Sequence, residues 1–182
     1  PKDIPSRFML AQTLEKTQDW RGAAGHYLGV IEADPTHREA LSRMGQIYLL
    51  GRNTEEAKKL ADKLLALNAK DPDGLTLNAG IKALGKDLDG ALVDVKAALE
   101  AQPGHVNASA LAASLYLQSN KPDDAVAALK AALDKDPKNS TVQALLARVY
   151  TQVGKKDDAE KLFRDIVAAE PKVLGHRLRL AQ

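Results

Sequence analysis

The chain has 182 residues, of which 45% are hydrophobic and 27% are charged, a composition that supplies a buried core and excludes a disordered segment. The 26 basic and 24 acidic residues are interspersed without a basic block, which argues against nucleic-acid binding. There is no cysteine, which excludes disulfides and thiolate sites, and no stretch approaches the roughly 20 apolar residues needed to span a membrane, so we expect no membrane insertion.

An internal period of 34 residues organises the chain. Three sets of residues recur at this spacing, two of small residues and one of tyrosine. The sets are Ala11, Gly45, Ala79, Ala113 and Ala147; Ala23, Ala57, Ala91, Ala125 and Ala159; and Tyr48, Tyr116 and Tyr150. They divide the chain into repeats 4–37, 38–71, 72–105, 106–139 and 140–173, followed by the start of a sixth repeat at 174–182. Because the chain begins at Pro1 without a signal-like segment, we expect it to be part of a longer protein.

The pattern predicts two helices in each repeat. In the fifth repeat, apolar residues between Val142 and Val153 follow the three- and four-residue spacing of an amphipathic helix. Gly154 then indicates a turn, and a second amphipathic stretch runs from Ala159 to Val167. One helix pair cannot bury its apolar face alone, so we expect stacked pairs with a continuous core.

The junction between the second and third repeats departs from the pattern. Proline is expected at position 69, but Ala69 stands there and Pro72 follows three residues later. This predicts an extended second helix in the second repeat and a late first helix in the third. Gly74, Gly80 and Gly85 weaken that late helix, which predicts a local distortion or flexible joint near residues 70–86. The alternative is a degenerate but rigid repeat.

Residues with catalytic chemistry do not form a recognisable site in the sequence. The four histidines show no metal-binding spacing, and we expect them to lie at the surface or to cap helices; they are His26, His37, His105 and His176. The acidic pairs Asp123–Asp124 and Asp157–Asp158 stand where helices begin, which favours the helix dipole. We therefore predict no catalytic residue, no cofactor and no metal site, and we do not expect an enzyme.

The 34-residue period, the paired helices, the small residues twelve apart and the terminal prolines together resemble the tetratricopeptide repeat. The resemblance covers residues 4–173. It implies an all-α fold, a right-handed superhelical solenoid of antiparallel helix pairs that forms one domain over residues 1–182. The composition also looks like that of tetratricopeptide regions in bacterial cell-envelope proteins, so we expect the periplasm or cell envelope rather than the cytoplasm.

In tetratricopeptide proteins the first helix of each repeat lines a concave groove. The resemblance therefore implies a partner-binding groove formed by Arg43, Gln46, Leu49, Leu77, Leu111, Ser114, Leu117, Leu145 and Arg148. An apolar strip with polar ends suits an extended peptide or an amphipathic helix. The alternative is that Leu49, Leu77 and Leu117 only pack against neighbouring helices. Lys and Asn residues that clamp the C-terminal carboxylate of chaperones are absent from this face, so capture of chaperone tails is not expected.

The predicted function is a protein–protein interaction scaffold whose partner is another protein or a peptide. Two alternatives stay open: a structural spacer or self-assembly module, and a regulatory arm of a larger enzyme. The truncated helix at 174–182 presents Leu178 and Leu180 without a following helix, which predicts end-to-end self-association.

Overall fold

A computed structural model describes residues 3–169, which form ten α-helices and no strand. The helices are α1 (Ile4–Lys16), α2 (Trp20–Ala33), α3 (Arg38–Leu50), α4 (Thr54–Leu67), α5 (Pro72–Leu84), α6 (Leu88–Ala101), α7 (Val106–Gln118), α8 (Pro122–Lys135), α9 (Ser140–Gln152) and α10 (Lys156–Ala169). Each helix begins and ends 34 residues after its counterpart in the preceding repeat. The predicted all-α fold of helix pairs is confirmed for these residues.

The chain divides into two compact parts, residues 1–101 and 102–182, which we call the N-terminal body and the C-terminal body. The N-terminal body contains α1 to α6, and the C-terminal body contains α7 to α10 among the described residues. Each body has its own cluster of buried apolar side chains. The predicted sixth repeat, His176, Leu178 and Leu180 lie outside the described residues, and so does the predicted end-to-end contact.

The turn inside each repeat has the same backbone geometry in all five described repeats. Between α3 and α4, the Asn53 N–H donates to the Tyr48 carbonyl at 2.8 Å, and the Arg52 N–H donates to the Leu49 carbonyl at 3.0 Å. This pair of bonds is the Schellman motif, which ends a helix with one residue in the left-handed region. That residue is Gln18, Arg52, Lys86, Asn120 or Gly154, with φ between 56° and 78°.

The turn between repeats explains why the predicted shift near Pro72 is wrong. The Asp71 N–H donates to the Asn68 carbonyl at 2.8 Å, and the Lys70 N–H donates to the Asn68 side chain at 3.0 Å. Asp34 closes the preceding turn in the same way, so proline at position 69 is not needed. Pro72 occupies the first turn of α5, where a missing N–H costs no helical bond. Hence α4 is not extended and α5 does not begin late.

The glycines of α5 allow close packing. A Cβ atom at position 80 would lie 2.7 Å from Leu49 Cδ1, and one at position 74 would lie 3.0 Å from Leu65 Cγ. Side chains from α3 and α4 therefore occupy the space that larger residues would need. Helix α5 is continuous over 13 residues and is largely buried. The predicted local distortion is wrong, whereas the flexible joint stays a prediction.

Two histidines cap helices, as the sequence predicts. His37 Nδ1 accepts the N–H of Ala40 at 3.3 Å, and His105 Nδ1 accepts the N–H of Ala108 at 3.2 Å. Each satisfies an N–H group that has no partner within its own helix. Both residues therefore have a structural role at the beginning of a first helix, in the second and fourth repeats.

We expect Lys86→Gly to stabilise the protein, because Lys86 adopts a left-handed conformation (φ 66°) that glycine adopts without steric cost. The free energy of unfolding should rise by about 0.5–1 kcal/mol in urea denaturation. Gly154→Ala is the matched opposite. Its φ is 78° and no neighbouring atom lies within 4 Å of the added Cβ, so the expected loss of about 1 kcal/mol is conformational. A loss of stability in Lys86→Gly would contradict this account.

Two glycine-to-alanine changes within helices should have opposite effects. At Gly45 an added Cβ would lie 2.4 Å from Leu77 Cδ1, and Leu77 is only 2% exposed and has little room to move. Gly45→Ala should therefore lower the free energy of unfolding by about 1–3 kcal/mol, through overpacking. At Gly25 no atom lies within 4 Å, so Gly25→Ala should raise it by about 0.5–1 kcal/mol. Thermal unfolding of both variants checks the comparison, and equal shifts would refute it.

Candidate functional site

An open pocket of about 380 Å³ lies in the C-terminal body, between the first helices α7 and α9. Four of the predicted site residues line it: Ser114 and Leu117 from α7, and Leu145 and Arg148 from α9. Leu129 of α8 also lines it. The structure therefore brings together side chains that the sequence placed on one face of two successive repeats.

The pocket combines apolar and polar groups. Leu117, Leu129 and Leu145 supply apolar surface, together with Val149. Ser114 is exposed, and its Oγ accepts a hydrogen bond from Gln118 Nε2 at 3.2 Å. Gln118 and Gln152 also line the pocket, and sequence reasoning missed both of them although they stand 34 residues apart. That spacing is the signal by which they could have been found.

The charge of the pocket comes from one side chain. Helix α7 contains no charged residue, and Arg148 is the single charged residue of α9. Arg148 is exposed and has no ion-pair partner among residues 3–169. The remaining predicted residue of this body, Leu111, is half-buried on α7 and does not line the pocket.

The predicted site residues of the N-terminal body are engaged with their own neighbours. Arg43 Nη1 pairs with Glu15 Oε1 at 3.1 Å, and the Tyr27 hydroxyl donates to Glu15 Oε2 at 2.6 Å. Gln46 Nε2 donates to Ser42 Oγ at 3.3 Å. These polar groups therefore already have partners within the body.

The two leucines predicted for the same face pack against glycine. Leu49 is half-buried and occupies the space beside Gly80. Leu77 is 2% exposed and lies beside Gly45, inside the core. The prediction that Leu77 lines an open groove is therefore wrong, because the small residue on α3 admits its side chain into the interior.

A buried ionic group that sequence reasoning missed joins α3 to α5. Arg38 Nη2 lies 2.7 Å from Asp73 Oδ2, and Arg38 Nε donates to Asp71. Asp71 also caps α5 by accepting the Gly74 N–H at 2.8 Å. Both aspartates are buried, so loss of Arg38 would leave them without this cation in a poorly solvated position. The signal in the sequence is the pair of acidic residues that flank Pro72.

Two surveys of residues 3–169 bear on other site classes. No group of three or more histidine, aspartate or glutamate side chains there is arranged to hold a metal ion. In the same part of the chain, no helix has both the length and the apolar character needed to cross a membrane.

Successive helix pairs with identical turns define a helical repeat protein. A family model of the tetratricopeptide repeat matches residues 14–81, 84–131 and 116–181. The chain belongs to the tetratricopeptide repeat family, and the predicted family is confirmed. Such repeats are generally non-catalytic scaffolds for protein–protein interaction. No curated protein sequence matches the chain significantly.

Solved structures show the same fold. A thermophilic tetratricopeptide protein of Thermus thermophilus has a TM-score of 0.78 and 22% identity, and the match covers 98% of this chain and 97% of that chain. MamA has a TM-score of 0.56 and 18% identity, with 93% and 92% covered. YrrB, described as having an unusual peptide-binding site, has a TM-score of 0.55 and 16% identity, with 100% and 93% covered. At these identities the likeness concerns the fold alone.

The hydrogen bond between Tyr27 and Glu15 predicts a pH dependence of stability. Burial, the bond to Glu15 and its negative charge together raise the pKa of Tyr27 far above its usual value. The neutral hydroxyl therefore stabilises the folded state below the ordinary tyrosine pKa near 10, and this contribution is lost as the pH rises above it. Tyr27→Phe should lower the free energy of unfolding by about 1 kcal/mol at neutral pH.

The check is urea unfolding of both proteins from neutral to strongly alkaline pH. The difference between wild type and Tyr27→Phe should shrink above pH 10, since the phenylalanine variant has no hydroxyl to ionise. Tyr48→Phe, at a half-buried tyrosine of α3, serves as control. A difference that is independent of pH would refute the role of the hydroxyl.

Proposed function

We propose that this chain is a scaffold that binds an extended peptide segment of a partner protein on the first-helix face of the C-terminal body. The observation that carries the proposal is the pocket between α7 and α9, which is open, partly apolar and lined by the predicted residues Ser114, Leu117, Leu145 and Arg148. In the N-terminal body, by contrast, the corresponding side chains are paired or packed.

The dimensions of the pocket favour a peptide over a folded surface. Its volume of about 380 Å³ is at the small end of the range for ligand pockets, which suits individual side chains inserted from an extended segment. Leucine side chains from three helices supply the apolar surface for that insertion. Burying them against a ligand would provide the main favourable free energy.

The polar groups around the pocket suit a peptide backbone. Gln118 and Gln152 each carry an amide that can both donate and accept hydrogen bonds. They stand one repeat apart, on neighbouring first helices, so they offer the same groups to successive parts of an extended ligand. The peptide-binding site named for YrrB lends support by analogy of fold.

A spacer role is the second candidate, and one observation favours it for the N-terminal body. Arg43 and Gln46, which would contact a ligand, are already bonded to Glu15 and Ser42. A face whose polar groups are satisfied internally gains less from binding, because each bond to a partner replaces an existing one. The two candidates therefore differ in where partner binding is lost by mutation.

The test is Ser114→Trp, which places a large side chain in the pocket from an exposed position and removes no buried group. Immobilised wild-type protein and this variant are compared in quantitative capture of partners from lysate of the source cells. The matched control is Lys161→Trp, at an exposed position on α10. Circular dichroism confirms that both variants are folded.

We expect wild type and Lys161→Trp to retain a common set of partners that Ser114→Trp loses by about tenfold or more, since the indole occupies the ligand's volume. Equal capture by all three proteins would contradict a binding site in the pocket and would favour the spacer role.

A further inference from the structure

We infer that the pocket of the C-terminal body selects a peptide in which an acidic residue stands two positions from a large apolar residue. This inference rests on the proposed function and specifies its ligand. It follows from the position of one unpaired guanidinium beside an apolar surface, on two helices that carry no acidic group.

The charge on this face is positive and uncompensated. Arg148 is the one charged side chain on α7 and α9, and it has no ion-pair partner among residues 3–169. Arg43 of the N-terminal body shows the contrasting arrangement, because Glu15 neutralises it at 3.1 Å. A carboxylate that reaches Arg148 therefore replaces water only, and the guanidinium can bind it with two parallel hydrogen bonds.

The spacing on α9 gives the spacing in the ligand. Arg148 and Leu145 are three residues apart on one helix, which places their Cβ atoms about 5–6 Å apart on the same side. In an extended peptide, residues i and i+2 point the same way and are about 6.6 Å apart. An apolar side chain seated against Leu145 therefore brings the side chain two positions away to Arg148. The expected pattern is apolar–x–Asp or Glu, in either chain direction.

The C-terminal ends of α7 and α9 do not reverse this preference. Each helix end carries a partial negative charge of about half a unit, which disfavours an anion. The carbonyl groups of Tyr116 and Tyr150 there accept N–H bonds from Lys121 and Lys155, both at 2.8 Å. These bonds reduce the exposed partial charge, whereas Arg148 presents a full positive charge to solvent. A basic peptide would meet Arg148 without a compensating acid on either helix.

The experiment selects peptides from a phage-displayed random library on the immobilised 182-residue chain. Enriched sequences are synthesised with a fluorophore and titrated by fluorescence anisotropy. The variants are Arg148→Gln, which keeps a similar length without charge, and Arg148→Lys, which keeps the charge without the planar fork. Arg164→Gln is the matched control, since Arg164 is an exposed arginine of α10 that pairs with Glu160.

We expect the enriched peptides to share the apolar–x–acidic pattern. Arg148→Gln should weaken their binding about tenfold, Arg148→Lys should weaken it less, and Arg164→Gln should leave it unchanged. Added salt should weaken binding to wild type and have little effect on Arg148→Gln. Replacing the acidic residue of the peptide by its amide should reproduce the loss only with wild type.

Two results separate failure of this inference from failure of the proposed function. Peptides that lose affinity on Ser114→Trp but ignore Arg148→Gln would overturn the acidic preference and leave the pocket as a peptide site. If no peptide is enriched, and Ser114→Trp converts a self-associated wild-type chain to monomer in sedimentation, the pocket is an interface between copies, and both proposals fall.

Discussion

Close approach of helix backbones is the constraint on which the rest of this structure depends. Each repeat has one small residue on its first helix and one on its second, and all ten are buried. Ala11 and Ala23, for example, are fully inaccessible to solvent. A larger side chain at either point would push the helices apart and open the core around them. The leucine and tyrosine side chains beside these positions can fill the interior only because the spacing is already fixed.

The fold was predictable from the sequence because its signals are local and repeated. Helix pairs follow from apolar spacing within about 30 residues, and five copies reinforce one another. The error at the third repeat has a local cause too: proline was treated as the signal for the turn. In the structure the turn is closed by the carbonyl and the side chain of Asn68, and proline at position 69 is dispensable.

Other features depend on neighbours that are distant in sequence, and these were beyond sequence reasoning. Gly80 reads as a weak point of α5 until Leu49 is found in the space beside it. Leu77 belongs to the same row as Leu145, yet it is buried, because glycine at position 45 leaves room for it. The repeat period predicts which side chains share a row. It does not predict which members of the row are covered, since that depends on the residue one repeat away.

The regular recurrence of helix boundaries has a consequence for how such a chain can change over evolutionary time. Since every repeat begins with the same backbone geometry and ends with an equivalent one, the join between any two repeats is structurally interchangeable. Unequal recombination in the gene could therefore insert or remove a whole helix pair without creating a new kind of turn. Point substitutions, in contrast, distinguish one copy from another, as the pairing of Arg43 and the free charge of Arg148 illustrate. Copy number and ligand preference can thus vary independently.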